Sequence, residues 1–160
     1  MNYIGQKNYN HNIKPSTAIL LTNLGTPLSP TAHDLRIYLK EFLSDPRVIE
    51  LPRLIWWMIL NFIILRVRPK KSAKLYKSIW TDKGSPLMIN TINQKNLLKD
   101  KFKLDNKAIL IDYAMRYGKP SISDKLQEIQ KLGADKILVL PLYPQYSLSL
   151  IHISEPTRRT

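Results

Sequence analysis

Three short apolar runs, separated by sequence with helical spacing, constrain the fold of this chain more than any other feature. They are "AILLTN" (Ala18–Asn23), "AILIDYAM" (Ala108–Met115) and "KILVLPL" (Lys136–Leu142), and each has the length of a buried strand. Strand, helices, strand, helix, strand is the order of a parallel α/β sheet. Strands that are apolar on both faces are expected where helices cover both sides of such a sheet. We therefore predict a parallel sheet flanked by helices.

The segments between these runs carry helical patterns. The first helix is capped by Ser29 or Thr31 and ends at Pro46. Its apolar stripe consists of Leu35, Tyr38, Leu39, Phe42 and Leu43. A second helix spans Lys71–Trp80, and a third opens at Asn90 or Thr91. The predicted buried positions of the third helix are Ile92, Leu97, Leu98 and Phe102. Those of the helix that Gly133 closes, after a serine cap, are Ile122, Leu126, Ile129 and Leu132.

Ligands of parallel α/β sheets bind beyond the carboxyl ends of the strands. Three predicted loops meet there: Asn23–Pro27, Arg116–Pro120 and Tyr143–Ser147. The guanidinium of Arg116, predicted just past a strand, suits a carboxylate or a phosphate, although an ordinary surface arginine fits the pattern equally well. The aromatic and hydroxyl groups of "YPQYS" suit a flat apolar ligand with polar edges, or they serve only to pack a turn.

Composition narrows the classes of function. A hydrophobic content of 44% suits one globular domain. Lys and Arg total 25 against 12 Asp and Glu, and the formal charge of +13 favours anionic partners such as nucleic acid, a lipid surface or a small poly-acid. The absence of cysteine excludes a disulfide or a thiolate-held iron–sulfur cluster within these 160 residues. The three histidines His11, His33 and His152 have no metal-ligand spacing, so we predict surface positions for them.

The stretch "LIWWMILNFIIL" (Leu54–Leu65) has eleven apolar residues among its twelve. A spanning helix needs about 20 such residues, so this stretch is too short to cross a bilayer. The sequence "RVRPKKSAKLY" then supplies five basic residues, which on a helix often simply face water. Three interpretations remain open: a core helix, an interfacial helix on an anionic membrane, and a wall for an aromatic acid.

Several motifs together resemble the N-terminal half of bacterial-type ferrochelatases. In chain order they are "ILLTNLGTP" (Ile19–Pro27), "YLKEFLSDPRVIELPRLIWWMIL" (Tyr38–Leu60), "AKLYKSIW" (Ala73–Trp80), "GSPLM" (Gly84–Met88), "AMRYGKPSI" (Ala114–Ile122) and "VLPLYPQYS" (Val139–Ser147). Each motif is unspecific alone, but their common order is specific. The resemblance implies the first of two similar Rossmann-like domains, which enclose a porphyrin cleft between them.

The same resemblance implies an activity and a set of site residues. The activity is insertion of Fe²⁺, as a substrate, into protoporphyrin IX to form protoheme, with no resident cofactor, in the cytoplasm or at the periphery of the inner membrane. The residues implied to bind porphyrin are Arg68, Tyr76, Ser85, Arg116 and Tyr117. Those implied to form a lip at the cleft mouth that contacts the membrane are Trp56, Trp57, Ile59 and Phe62. Leu24 lies where some relatives carry a tyrosine near the metal, and leucine cannot ligate.

The sequence also departs from the family pattern. The family's metal-handling histidine, in an S-x-H-[SG] motif, and its glutamate have no counterpart in residues 1–160. We therefore expect this chain to lack the second domain, to carry no catalytic or metal-binding residue, and not to insert iron by itself. We expect a polar tail at 1–17, the ferrochelatase-like domain at 18–147 and a segment foreign to the family at 148–160. The remaining alternatives are a chelatase for coproporphyrin or another tetrapyrrole, a basic membrane-surface protein and a nucleic-acid-binding module, which we do not favour.

Overall fold

A computed structural model describes residues 16–104 and 109–143 and contains a three-stranded sheet in the order β2-β1-β3. The strands are β1 (Ser16–Gly25), β2 (Ile109–Tyr117) and β3 (Ala134–Pro141). Both neighbours run parallel to β1, which pairs with β2 as far as Gly25 and Tyr117 and with β3 as far as Thr22 and Pro141. The carboxyl ends of all three strands therefore meet at one edge of the sheet. This confirms the predicted α/β class.

Five α-helices accompany the sheet in the described residues. They are α1 (Ala32–Ser44), α2 (Arg53–Ile59), α3 (Leu65–Ile79), α4 (Pro86–Leu104) and α5 (Ile122–Lys131), and a π-helical turn, Leu60–Ile64, joins α2 to α3. Two helices begin at hydroxyl caps, as predicted. The side chains of Thr31 and Ser121 accept hydrogen bonds from the backbone N–H groups of Asp34 and Asp124, which would otherwise lack a partner at the helix start.

The apolar side chains of the central strand pack on both faces of the sheet. Successive residues of a strand point to opposite faces. Leu20 therefore packs with Ile129 of α5, while Ile19 and Leu21 pack on the face that receives Leu98 and Phe102 of α4. A third cluster lies under α1, the π-helical turn and α3, and its buried members are Tyr38, Leu39, Leu43, Leu60, Leu65 and Tyr117.

Two predictions about the strands are wrong. Pairing between β1 and β2 continues to Tyr117, so Arg116 and Tyr117 are the last two residues of the strand and do not lie in the loop after it. The third strand is not buried on both faces, because β3 is an edge strand and Leu138 and Leu140 are 56% and 43% exposed. A run of apolar residues indicates a strand, but it does not show whether a helix covers it.

Three predictions about the helices also need correction. α3 begins at Leu65, six residues before the predicted start. α4 begins at Pro86 rather than at Asn90 or Thr91, because the Ser85 hydroxyl accepts the N–H of Met88 and proline is well suited to a first helical position. Leu97 and Leu132, predicted to be buried, are 71% and 61% exposed, because Leu97 lies about 100° around the helix from its partly buried neighbour Leu98 and Leu132 follows the last turn of α5.

Candidate functional site

The carboxyl edge of the sheet brings two loops and the end of β2 into close contact. Gly25 has a φ of +114°, and a Cβ atom at this position would lie 1.9 Å from the carbonyl oxygen of Tyr117. Gly118 has a φ of +83°, and a Cβ there would meet the carbonyl oxygen of Thr26 at 2.8 Å. Only glycine permits this approach. The "NLGTP" and "RYGKP" motifs are therefore neighbours because each contains a glycine that the other backbone touches.

An ion pair joins the end of α1 to the end of β2. Oδ2 of Asp45 accepts hydrogen bonds from NH2 of Arg116 at 2.7 Å and from the hydroxyl of Tyr117 at 3.0 Å. Its other oxygen, Oδ1, accepts the backbone N–H of Arg47 at 2.9 Å. The Asp45 side chain is only 9% exposed, so the carboxylate is largely shielded from solvent, and each of its oxygens already accepts a hydrogen bond. These three side chains form the Asp45–Arg116–Tyr117 cluster.

The electrostatics of this cluster keep the carboxylate ionised. Burial raises the pKa of Asp45. The hydrogen bonds from Arg47 and Tyr117, together with the charge of Arg116, lower this pKa by a larger amount, so the net shift is downward. The guanidinium of Arg116 also lies over the ring of Tyr117, 5.3 Å from its centroid. Nε of Arg116 is buried and has no hydrogen-bond partner in the part of the chain that the structure describes. The part of the Arg116 side chain that a ligand can reach is the 25% that stays exposed.

Aromatic rings line the same region. Tyr117 and Phe42 meet edge to face, with ring centroids 5.1 Å apart, and Phe42 stacks on Tyr38 at 6.1 Å. The hydroxyl of Tyr38 donates to the carbonyl oxygen of Gly25. Burial raises the pKa of Tyr38, and the nearby phenols of Tyr76 and Tyr117 raise it further. The pKa of Tyr76 is also raised by burial. The phenols of Tyr38 and Tyr76 therefore remain neutral hydrogen-bonding groups at physiological pH.

Two hollows open beside α1. One, of about 500 Å³, is lined by the Asp45–Arg116–Tyr117 cluster and by Glu41, Ser44, Pro46 and Arg47. The other, of about 240 Å³, is lined by Pro27, Ile37, Tyr38 and Lys119 among others. Glu41 lines both hollows, and its Oε2 accepts the backbone N–H of Gly118 at 3.0 Å. The larger hollow is where polar and aromatic groups converge, so it is the candidate site.

The apolar stretch divides between core and surface. Trp56 is half-buried, and its Nε1 donates to the carbonyl oxygen of Leu43 at 2.6 Å. Trp57 and Phe62 are 56% and 55% exposed, and Ile59 is half-buried. Within residues 16–104 and 109–143, no helix has the length and hydrophobicity that crossing a bilayer requires. The stretch is therefore part core helix and part exposed apolar surface.

Comparison with known proteins decides the family. The family model described as ferrochelatase matches residues 16–152. The chain belongs to the ferrochelatase family. A ferrochelatase from Chromobacterium violaceum is 53% identical over 148 residues, which are 92% of this chain and 41% of that protein. One from Aromatoleum aromaticum is 54% identical over 142 residues, which are 88% of this chain and 39% of that protein. The chain thus spans about two fifths of the length of these curated ferrochelatases.

The residues predicted from the ferrochelatase resemblance do not form one contact network. Arg116 and Tyr117 adjoin each other in the cluster, and Tyr76 lies close enough to Tyr38 to affect its pKa. Arg68 is exposed on α3, about 12 Å along the helix from Tyr76. Ser85 is buried, and its hydroxyl caps α4. Among the described residues, no hydrogen bond or ion pair links Arg68 or Ser85 to Arg116.

The remaining predicted positions are placed as follows. Leu24 packs against the aromatic cluster that contains Tyr117, and His33 is exposed on α1. Four residues discussed from the sequence lie outside the described residues: His11, Tyr146, Ser147 and His152. Residues 1–15 of the predicted tail and the predicted foreign segment 148–160 also lie outside them. In the described part of the chain, no group of three His, Cys, Asp or Glu residues is arranged to hold a metal.

Sequence reasoning missed two residues that organise the candidate site, Asp45 and Glu41. It also missed the bond of Asn23, a residue of the predicted loop at this edge, whose amide donates to the hydroxyl of the buried Thr91 at 3.1 Å. Asp45 stands in "SDPR", which we interpreted only as a helix stop, and its partner Arg116 is 71 positions away. A signal did exist, because an aspartate next to a predicted carboxyl edge is a candidate partner for an arginine at that edge. Nothing in the spacing, however, specified which arginine.

Proposed function

We propose that this chain forms the porphyrin-binding part of an enzyme that inserts Fe²⁺ into protoporphyrin IX and so produces protoheme. One observation carries the proposal: the ferrochelatase family match runs along the described chain, and two of its motifs, "NLGTP" and "RYGKP", meet at the carboxyl edge of the sheet. Fe²⁺ is a substrate in this reaction. We place the enzyme in the cytoplasm, in contact with the inner membrane at its periphery.

The site chemistry supports a large, flat, apolar acid as ligand. The partly buried Phe42 and Leu24 provide apolar surface next to the hollow, backed by the buried rings of Tyr38 and Tyr117. Burying the porphyrin ring at about 25 cal/mol per Å² would contribute several kcal/mol to binding. The exposed cation Arg68 can hold a ligand carboxylate, while Tyr76, Ser85, Arg116 and Tyr117 complete the proposed binding set. The Ser85 hydroxyl accepts the N–H of Met88 as the cap of α4, which leaves its O–H to donate to a ligand.

Binding is tested by titrating the 160-residue chain with protoporphyrin and following tryptophan quenching together with the Soret band. We expect saturable binding that Arg68→Gln weakens about tenfold, the effect of losing one charge-assisted hydrogen bond of about 1.4 kcal/mol. Arg36→Gln, which removes a charge from an exposed position of α1, is the matched control and should bind as the wild type does. Absence of saturable binding would contradict the proposed function. Tighter binding of coproporphyrin than of protoporphyrin would assign a different tetrapyrrole.

We also propose that this chain does not insert iron by itself. None of the five proposed binding residues is suited to accept the pyrrole protons that the entering metal displaces, since the two tyrosines and the serine are weak bases and the arginines are cationic. The measurement is anaerobic incubation of the purified chain with protoporphyrin and Fe²⁺, followed by the pyridine hemochrome spectrum. Protoheme formed faster than in a protein-free control would refute this part of the proposal.

The exposed part of the apolar stretch is our proposed membrane contact. Trp57 and Phe62 meet edge to face at 6.0 Å, and the guanidinium of Arg66 lies 5.7 Å from the Phe62 ring centroid. Aromatic side chains beside cations suit the interface of an anionic bilayer. We expect co-sedimentation with phosphatidylglycerol vesicles that Trp57→Ala reduces. Leu97→Ala, which truncates an exposed apolar side chain on α4, should leave it unchanged; an equal loss in both variants would contradict a specific contact.

A further inference from the structure

The Asp45–Arg116–Tyr117 cluster carries no net charge. Arg116 contributes one positive charge, Asp45 one negative charge at 2.7 Å, and the hydroxyl of Tyr117 donates to the same oxygen. Both carboxylate oxygens are occupied, because the backbone N–H of Arg47 takes the second one. A ligand carboxylate that approached NH2 of Arg116 would have to compete with a partly buried carboxylate that already accepts this donor. Such an exchange gains little, since one ion pair replaces another.

Helix α3 provides the contrast. Its basic side chains have no ion-pair partner among the described residues, and its sequence contains no acidic residue. They are Arg66, Arg68, Lys70, Lys71, Lys74 and Lys77. Exposed cations without partners attract a dianion more strongly than a neutralised pair does, because the field of the pair falls off faster with distance. The carboxylates of an aromatic diacid therefore belong with α3, and the cluster is left to face the ring.

The cluster nevertheless has directed groups to offer. The planar guanidinium of Arg116 is fixed by its bond to Asp45, and its buried Nε–H lacks a partner among the described residues. The ring of Tyr117 is held between Phe42 and this guanidinium. We propose, on the basis of the proposed function, that Asp45 is a positioning residue that, with the buried Tyr117 as its support, fixes the partly exposed Arg116 against the porphyrin ring rather than against its carboxylates.

Two ligands that differ only in their carboxylates test this proposal. Protoporphyrin IX is a diacid, whereas its dimethyl ester has the same ring without negative charge. We expect Asp45→Asn, measured in one detergent buffer, to raise the Kd of both ligands by a similar factor of about ten, which corresponds to about 1.4 kcal/mol. Arg68→Gln should raise the Kd of the diacid alone. Asp100→Asn, at an exposed position of α4, is the matched control for removing a carboxylate charge and should alter neither Kd.

Coupling between the two residues of the ion pair is the second readout. If Asp45 acts through Arg116, the double variant Asp45→Asn/Arg116→Gln should bind no more weakly than either single variant, so the double-mutant cycle is strongly non-additive. A purely structural role would lower the melting temperature without changing the Kd of the folded protein. If Asp45→Asn does not fold, Asp45→Glu keeps the charge, and its Kd for the dimethyl ester then supplies the test, with a rise expected because the longer side chain displaces the guanidinium.

The outcomes separate the two claims. Failure of the wild-type chain to bind either porphyrin would overturn the proposed function and this inference with it. Binding by the wild type that Asp45→Asn leaves unchanged would overturn only the inference. Tighter binding of the diacid by Asp45→Asn, with no change for the dimethyl ester, would also overturn it, because Arg116 would then be a carboxylate anchor from which Asp45 had been removed as a competitor.

Discussion

The carboxylate of Asp45 links the geometry of the site to pH. Its pKa is lowered in the folded chain, since the bonds from Arg47, Tyr117 and Arg116 outweigh the effect of burial. A lowered folded-state pKa gives a stability contribution that is present above the unfolded pKa of about 3.9 and is lost as the pH falls through the folded value. We expect the free energy of unfolding of the wild type to fall more steeply below about pH 4 than that of Asp45→Asn.

Urea unfolding at pH 3, 5 and 7 provides the measurement. The difference between the wild type and Asp45→Asn should be largest at pH 5 and 7 and should shrink at pH 3. Asp100→Asn, whose side chain is 71% exposed, should follow the wild type at every pH. A difference between wild type and Asp45→Asn that stays constant from pH 7 to pH 3 would show that the charge of Asp45 contributes nothing to folding.

Two glycines separate backbone strain from steric contact. Gly25 and Gly84 have φ values of +114° and +116°, but a Cβ at Gly84 has no heavy atom within 4 Å, whereas one at Gly25 would collide with Tyr117. We expect Gly84→Ala to cost about 1–3 kcal/mol through backbone strain alone and Gly25→Ala to cost at least about 2 kcal/mol more, from overpacking. The two midpoints of chemical unfolding decide this. Equal losses would mean that β1 and β2 can separate locally to admit the methyl group.

Interactions of single residues could be predicted from the sequence only where the two partners are close together in the chain. The sequence predicted a cap at Ser29 or Thr31 for α1 and a serine cap for α5, and the caps are Thr31 and Ser121; they could be predicted because a hydroxyl cap bonds an N–H only three residues away. The bond between Asp45 and Arg116 was not found, because its partners are brought together only when α1 and β2 pack at the same edge. The same holds for Asn23 and Thr91. Long-range polar contacts depend on the assembled fold, which apolar periodicity does not specify at the level of single side chains.

At the scale of elements, α5 places one buried side chain, Ile129, against the sheet. Ile129 is 2% exposed and packs with Leu20 and Ala114, while Leu132 is 61% exposed. We expect Ile129→Ala to cost about 2–5 kcal/mol, because it leaves a cavity between helix and sheet. Leu132→Ala truncates a similar side chain that is already exposed to solvent, so it should lower the free energy of unfolding by under about 0.5 kcal/mol. Thermal and urea unfolding of both variants test this, and similar losses would restore the sequence-based prediction that Leu132 is buried.

The elements themselves were predicted well where periodicity was strong. Four of the buried positions expected on α1 are buried, and the fifth, Phe42, packs against the same cluster. The ends of β2 and α4 were wrong for a physical reason: strand pairing continues as long as the neighbouring strand offers partners, and a buried serine with a following proline starts a helix before its apolar pattern begins. Boundaries depend on hydrogen-bond partners, and hydrophobic patterns do not reveal them.

At the scale of the whole molecule, the charge of +13 is distributed unevenly. Ion pairs neutralise some of the described cations: Lys125 of α5 pairs with Asp112 of β2, and Lys119, which follows β2, pairs with Asp124. The cations of α3 have no such partner among the described residues.

The positive field of α3 reaches the exposed apolar surface of Trp57 and Phe62, because the guanidinium of Arg66 lies 5.7 Å from the Phe62 ring centroid. Such a field attracts a diacid, an anionic bilayer and nucleic acid alike. Only the porphyrin diacid would also use the apolar surface that we propose for its ring, beside Phe42 and Leu24, which we call the ring-binding surface.

Salt separates these electrostatic and apolar contributions. Raising NaCl from 0.05 to 0.5 M shortens the Debye length to a few Å, so steering of a dianion should weaken. We expect the association rate of protoporphyrin, from stopped-flow tryptophan quenching, to fall about tenfold, while that of the dimethyl ester changes little. A 20-base-pair DNA duplex should bind at low salt, lose its affinity steeply as salt rises, and fail to displace the dimethyl ester. Displacement of both porphyrins by the duplex would mean that nucleic acid occupies the ring-binding surface, and the nucleic-acid interpretation would then replace the porphyrin one.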